Sequence, residues 1–321
     1  KKNAQLVGLS VALVDGGNTV WVQGFGYADK KHKIPVTPDT VFRAASVSKL
    51  FTATMAMQLA EQGKLNIDKP LKTYIPEFSM NPRFADAAPV TPRNLMSHYA
   101  GLPTDKIGGS YAANPESIAA VVPYLKTQYP VSPPDTRFQY SNLGFSLLGV
   151  AEERAGGKPF AALADEMLLK PLGMRHSYVA AALKNGTNTS KGYVEGKETP
   201  DKPLRDIAAG GLNTTAADLA RFVQMALSDG HPVLRPATFA EMLRHQNADA
   251  PLATEGDSRG LGWRLGTFRN LATAEHGGTL DTFSSQLTIL PQQKIGVVVL
   301  TNSSNNEALE RIAEKVLEQA V

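Results

Sequence analysis

With 321 residues, 42% hydrophobic and 20% charged, the chain has the composition of a globular protein with ample core, in one large or two intertwined domains, and not of a disordered one. The formal charge of +3 arises from Lys and Arg scattered singly, with no basic run or Arg-aromatic stripe, so a nucleic-acid surface is not expected. Zero cysteines exclude disulfides, thiolate metal sites and a cysteine nucleophile, and no apolar run approaches the roughly 18–20 residues of a membrane-spanning helix.

The chain begins Lys1-Lys2-Asn3-Ala4-Gln5, without Met or a hydrophobic signal segment, as expected of a processed form. Val7 to Val14, a turn at Asp15-Gly16-Gly17-Asn18, and a return through Val20, Val22 and Phe25 read as a hairpin. Ser46-Val47-Ser48-Lys49 then opens the most apolar helical stretch of the sequence, from Leu50 to Ala60, closing at Gly63. Thr52, Thr54 and Gln58 are its only polar residues, so the helix is apolar nearly all round and is expected to be buried. Residues three apart share a helical face, which brings the Ser46 hydroxyl and the Lys49 amine within reach of each other, as covalent catalysis needs. Burial and the positive end of the helix dipole both disfavour an ammonium there, leaving an amine able to take the serine proton. The same four letters also fit an ordinary N-cap serine followed by a lysine that snorkels to solvent, and alone they do not separate the two.

Two long polar stretches, Asp105 to Glu116 and Lys184 to Asp206, exceed normal connections and are candidates to line a site. Between them, Pro133-Pro134-Asp135 signals a turn ahead of Tyr140-Ser141-Asn142, whose Tyr and Asn are expected to project from a loop into a cleft. Helices are predicted over Ser141 to Ala155, Phe160 to Leu168 and Ala216 to Leu227, the last with Thr215 as N-cap and Asp218 three residues on. His276-Gly277-Gly278-Thr279 is expected just before a core strand, where its two glycines let another backbone or a ligand come close. Phe283 to Leu290, a turn at Pro291-Gln292-Gln293-Lys294, and Ile295 to Leu300 form a second hairpin. Leu309, Ile312, Ala313, Val316, Leu317 and Ala320 mark a final amphipathic helix. Strands at both ends around a helical middle predict an α+β fold: one antiparallel sheet formed by both chain ends and flanked by helices, with an inserted mainly helical region. The expected division is 1–70 plus 255–321 for the sheet region and 71–254 for the helical one, in one intertwined catalytic unit. The six histidines show no metal-ligand spacing, and neither a metal nor another cofactor is expected.

On these residues the chain resembles the class C β-lactamase-like family of penicillin-recognising serine hydrolases, which includes D-amino-acid peptidases and carboxylic esterases; Ser-x-x-Lys is a signature of related enzymes. The likeness runs through nearly the whole chain: Pro38 to Arg43 before the serine, His98-Tyr99-Ala100-Gly101-Leu102-Pro103, Phe138 to Gly144, Pro171-Leu172-Gly173-Met174, Gly210-Gly211-Leu212, Gly260-Leu261-Gly262-Trp263 and His276 to Gly278. It implies a β-lactamase/transpeptidase-like fold, Ser46 as acylated nucleophile, Lys49 as its base or proton relay, and Tyr140 as general base or acid beside it. It further implies that Asn142 hydrogen-bonds a substrate amide or carbonyl, that His276, Gly277 and Gly278 line the substrate side, and that the backbone N–H groups of Ser46 and Thr279 form the oxyanion hole. The implied substrate is a β-lactam, a D-amino-acid peptide or a small carboxylic ester, and the implied location is periplasmic or secreted. The competing reading is a penicillin-binding sensor that acylates and stalls.

Two positions depart from the family pattern. His276 stands where β-lactamases of this class carry the lysine of Lys-Thr-Gly, and a histidine of pKa about 6.5 is only partly charged at neutral pH, so carboxylate recognition is expected to differ. Thr282 stands where many relatives have glycine and is expected to narrow the cleft. His98 is read as a loop anchor, Asp105 as a solvated acid in preference to a substrate contact, and Trp21 and Trp263 as core or sheet-face aromatics. Asn142 also fits as the N-cap of the helix that follows it, a role compatible with substrate contact. The absent Gly-x-Ser-x-Gly elbow argues against an α/β-hydrolase, and no pairing of carboxylates points to a glycosidase.

Overall fold

A computed structural model describes residues 6–106, 110–254, 256 and 258–321. Strands β1 (Gly8–Asp15) and β2 (Asn18–Asp29) form the first hairpin, followed by the short β3 (Ile34–Pro35) and β4 (Phe42–Arg43). A 3-10 turn over Ala45–Val47 leads into α1 (Ser48–Glu61), and α2 (Pro92–Ser97), α3 (Val121–Leu125), α4 (Asn142–Gly156) and α5 (Phe160–Ala164) follow. After a π-helical turn at Asp165–Leu169 come β5 (Tyr178–Val179), β6 (Tyr193–Val194), β7 (Lys197–Glu198), the single turn α6 (Ile207–Gly210) and β8 (Leu212–Thr214). Helices α7 (Ala216–Leu227) and α8 (Pro236–Leu243) precede β9 (Arg264–Phe268), β10 (Leu271–Thr279), β11 (Ser284–Leu290), β12 (Ile295–Thr301) and α9 (Asn306–Ala320).

Seven strands form one antiparallel sheet in the order β3-β2-β1-β12-β11-β10-β9, so the two ends of the chain meet at its centre. Leu9 pairs with Thr301 and Asp15 with Ile295. Successive strand residues point to opposite faces, and here both faces are covered. Val297 and Val299 of β12 join Val11 under Leu309, Ala313 and Leu317 of α9, whereas Val298 and Leu300 face the main core with Phe222 and Val223 of α7. Burial on both sides is why β12 reads as an almost unbroken apolar run. Helix α7 packs on this sheet although it belongs to the middle of the sequence.

Helix α1 is buried from Ser48 to Leu59, as its all-round apolar sequence requires. It packs against α4 and α6, with Phe51 stacked on Phe222 at 4.2 Å between ring centroids. Its first α-helical residue is Ser48, so Ser46 sits in the tighter 3-10 turn ahead of it. Trp263 is fully buried in the core, while Trp21 lies 40% exposed on β2.

Several local expectations shift. His276 to Thr279 lie within β10 and pair with β11, not ahead of a strand. The glycine pair is tolerated there because a Cβ on Gly278 would come within 2.5 Å of Ala44 O, so close packing selects what propensity alone would reject. The stretch from Phe160 to Leu168 changes from α to π geometry after Ala164. Thr215 caps α7 by accepting from Asp218 N–H, but the Asp218 carboxylate turns away to His176 N–H and the Ser177 hydroxyl, leaving the capping box half made. Asn142 does not cap α4: Ser141 does, accepting from Gly144 N–H at 2.9 Å. The first five residues, residues 107–109 of the first long polar stretch, and the expected boundary at residue 255 lie outside the described residues. Among those described, no helix is long and apolar enough to cross a membrane.

Candidate active site

The turn that carries Ser46 is pinned from three sides. Ala44 donates its N–H to Leu212 O at 2.9 Å, and its carbonyl accepts from the Ser285 hydroxyl of β11 at 2.6 Å. Ser48 spans the joint, its hydroxyl donating to Ala45 O at 2.6 Å and accepting from Leu212 N–H at 2.9 Å. Ala45, directly before the serine, has φ +47°, a left-handed conformation that costs a non-glycine residue about 1 kcal/mol or more and persists only where surroundings fix it. Gly278 supplies part of that surrounding: a side chain on it would meet Ser46 N at 2.8 Å, so β10 lies flush against the nucleophile turn.

Lys49 is fully buried, and its Nζ reaches Ser46 Oγ at 3.1 Å, Asn142 Oδ1 at 2.7 Å and Ala209 O at 3.0 Å. It does not snorkel. Asn142 Nδ2 donates to Asp105 Oδ1 at 2.8 Å, and a carboxylate oxygen can only accept, which fixes the amide with its Oδ1 toward Lys49. Both the Asn142 oxygen and the Ala209 carbonyl therefore accept from Lys49. With two positions of Nζ engaged by these acceptors, the third faces Ser46 Oγ. Tyr140 completes the cluster, with its hydroxyl 2.9 Å from Ser46 Oγ and its ring centroid 4.8 Å from Lys49 Nζ.

His98 anchors this loop, as its sequence context led us to expect. It terminates α2 in a left-handed conformation, its Nδ1 accepts from Ser141 N–H at 3.1 Å, and its ring lies against Tyr140 at 4.4 Å between centroids. Burial, with the nearby Lys49 ammonium second, holds its pKa well below the usual imidazole range, in keeping with an accepting Nδ1. His276 is likewise not the partly charged group expected from a free imidazole. Burial, then Lys49, pushes it down to about 3, and its Nδ1–H donates to Gly277 O at 2.6 Å, leaving Nε2 as an acceptor. A neutral His276 offers no fixed charge to a carboxylate.

Two hollows meet at the serine, because Ser46, Asn142 and Thr279 line both. The first, of about 310 Å³, is bordered by Asp105, Lys106, Tyr111, Leu204, Asp206 and Leu280, so both long polar stretches do contribute to its wall. The second, of about 390 Å³, extends past Tyr140, His276 and Gly277 to Arg259 and Arg264. Gly278 lies behind the cleft wall, against Ser46. Thr282 is buried, and its Cβ packs where a side chain on Gly192 would stand, so it does not narrow the cleft. Asp105 is exposed, as expected of a solvated acid, and also accepts from Asn142. The Ala209 carbonyl, Arg259 and Arg264 escaped the sequence reading; only Gly210-Gly211-Leu212, next to Ala209, carried any signal.

A sheet made by both chain ends, a helix-borne Ser-x-x-Lys, and a Tyr-x-Asn loop facing it together mark a penicillin-recognising serine hydrolase fold. A family model described as Beta-lactamase matches residues 1–321, and the chain belongs to that family. Over its full length it is 26% identical to Protein flp of Staphylococcus aureus, covering 64% of that protein, and 92% of it is 27% identical to the unguisins hydrolase ungD' of Aspergillus campestris, covering 58%. The chain thus spans less than two thirds of the length of these curated relatives. Among solved structures, the octameric penicillin-binding protein homologue from Pyrococcus abyssi superposes with a TM-score of 0.85 at 25% identity, covering 98% of this chain and 73% of the other.

Proposed function

We propose that this chain is an acyl-transfer hydrolase that works through an acyl-enzyme on Ser46. The observation that carries the reading is the single hydroxyl, Ser46 Oγ, held between Tyr140 Oη at 2.9 Å and Lys49 Nζ at 3.1 Å at the junction of two hollows. As Oγ attacks a carbonyl carbon, its proton passes to the Lys49–Tyr140 pair beside it. The N–H groups of Ser46 and Thr279 face the oxygen that gains charge, and one such donor is worth about 2.7–4 kcal/mol. Collapse breaks the bond to the leaving group, which takes the proton back from the pair. Water then repeats the sequence on the ester, with its proton returned to Ser46. The remaining N–H of Asn142, after one is given to Asp105, is available to a substrate carbonyl. A β-lactam, a D-amino-acid peptide and a small carboxylic ester all present the carbonyl this requires, and the name of the Aspergillus relative fits hydrolysis.

Intact mass followed after mixing with a penicillin and with a chromogenic ester, product being read in the same tube, tests this. A single adduct on wild type, none on Ser46→Ala, and turnover reduced by three orders of magnitude or more in that variant are expected. An adduct that forms and persists would favour a penicillin-binding sensor. Equal ester hydrolysis by Ser46→Ala would remove the site assignment.

A further inference from the structure

The charges around the cleft are unevenly balanced. In the first hollow Lys106 is paired with Glu116 at 2.7 Å, and Asp206 with Arg205 at 2.7 Å. In the second, Arg264 lies 3.4 Å from Glu275. Asp105 differs. It is exposed to the first hollow, and among the described residues its hydrogen-bond donor is the neutral amide of Asn142 and no cation lies within ion-pair distance of it. One of its oxygens is committed to Asn142 and the other is open to whatever occupies the hollow.

The chain of contacts Ser46, Lys49, Asn142, Asp105, with steps of 3.1, 2.7 and 2.8 Å, links this carboxylate to the reacting hydroxyl through two intervening side chains. A group reaching past the Asn142 amide to it would lie a few bonds from the scissile carbonyl. Resting on the acyl-transfer reading, we infer that Asp105 selects substrates that carry an ammonium group on the portion seated in the first hollow, a few bonds from the carbonyl that Ser46 attacks. Asp105 is exposed, so its attraction for a cation is screened as salt is raised. Asp105 acts here on specificity, and through Asn142 it also positions Lys49.

The test separates charge recognition from turnover. Binding to full-length Ser46→Ala protein is measured by calorimetry for two p-nitroanilides, those of γ-trimethylammonio-butyrate and of its neutral tert-butyl isostere. The cationic probe should bind about tenfold or more tightly at low salt, a difference of about 1.4 kcal/mol. Adding Asp105→Asn should bring the two affinities together, whereas Asp105→Glu should keep them apart. A purely positioning role for Asp105 would weaken both probes alike and leave their ratio intact, so a ratio that survives Asp105→Asn overturns the inference. Equal affinities in Ser46→Ala overturn it too. If Asp105→Asn fails to fold, the wild-type ratio should still shrink as salt is raised, and a salt-independent ratio would count against the carboxylate. Because binding is read without catalysis, the two readings fail separately: a chain that discriminates the probes yet forms no adduct on Ser46 would sink the acyl-transfer reading while the charge preference of Asp105 stayed measured.

Discussion

Glu152, in the buried run of α4, has neither carboxylate oxygen hydrogen-bonded and no surface exposed. Desolvation, with Glu153 adding a like charge, raises its pKa well above the usual carboxylate range, so the folded chain keeps a proton that the unfolded chain gives up at about pH 4.5. Stability therefore falls as pH rises above that value until the folded group itself ionises. Glu152→Gln should remove this slope and raise the urea midpoint at pH 8 by more than at pH 4, with about 1–3 kcal/mol as the scale of one unsatisfied buried group. An identical gain at both values would rule out ionisation as the cause. Residues of this kind mark where sequence legibility ends. Ser46 and Lys49 could be paired because three-residue spacing is a local rule, and Tyr140 and Asn142 stood out beside a turn signal. The carbonyl of Ala209, 160 positions from Lys49, belongs to no local pattern, and Asp105 between Thr104 and Lys106 looks like any solvated acid until the fold brings Asn142 to it.

At the scale of elements, both hairpins and the end-to-end pairing were readable because alternation and turn residues agree at Asp15 to Asn18 and at Pro291 to Lys294. β9 and the early part of β10 were not, since Arg264 to Ala272 mixes exposed and half-buried residues without clean alternation. The decisive contact between elements is that of β10 with the Ser46 turn. Gly278→Ala would place a methyl group 2.5 Å from Ala44 O and 2.8 Å from Ser46 N, distances that force strand and turn apart. We expect ester turnover to fall about 100-fold or more, as for a misplaced catalytic group, with a modest loss of thermal stability. Near wild-type kcat in a folded Gly278→Ala protein would show that the turn does not depend on this strand.

For the molecule as a whole, His98 and His276 set the acid limit. Both have folded pKa values below the unfolded value of about 6.5, so the unfolded chain binds protons that the folded one refuses, and stability is lost as pH falls from about 6.5 toward about 3. Glu241, lowered to about 2 by Arg244 and Arg93, adds its own loss below about 4.5. His276→Gln should flatten the part of the urea-midpoint profile between about pH 6.5 and 4.5, and an unchanged profile would assign the acid sensitivity elsewhere. The pairing of β1 with β12 carries a different consequence. Ser46 and Lys49 leave the ribosome more than two hundred residues before the strand that braces them, and β1 waits as long for its central partner. Closing so large a loop makes folding slow and cooperative. A nascent or truncated chain ending before β10 would thus hold a complete serine–lysine pair with no Gly278 packed against its turn and no Thr279 beside it, so the cleft is assembled only once β10 has been made.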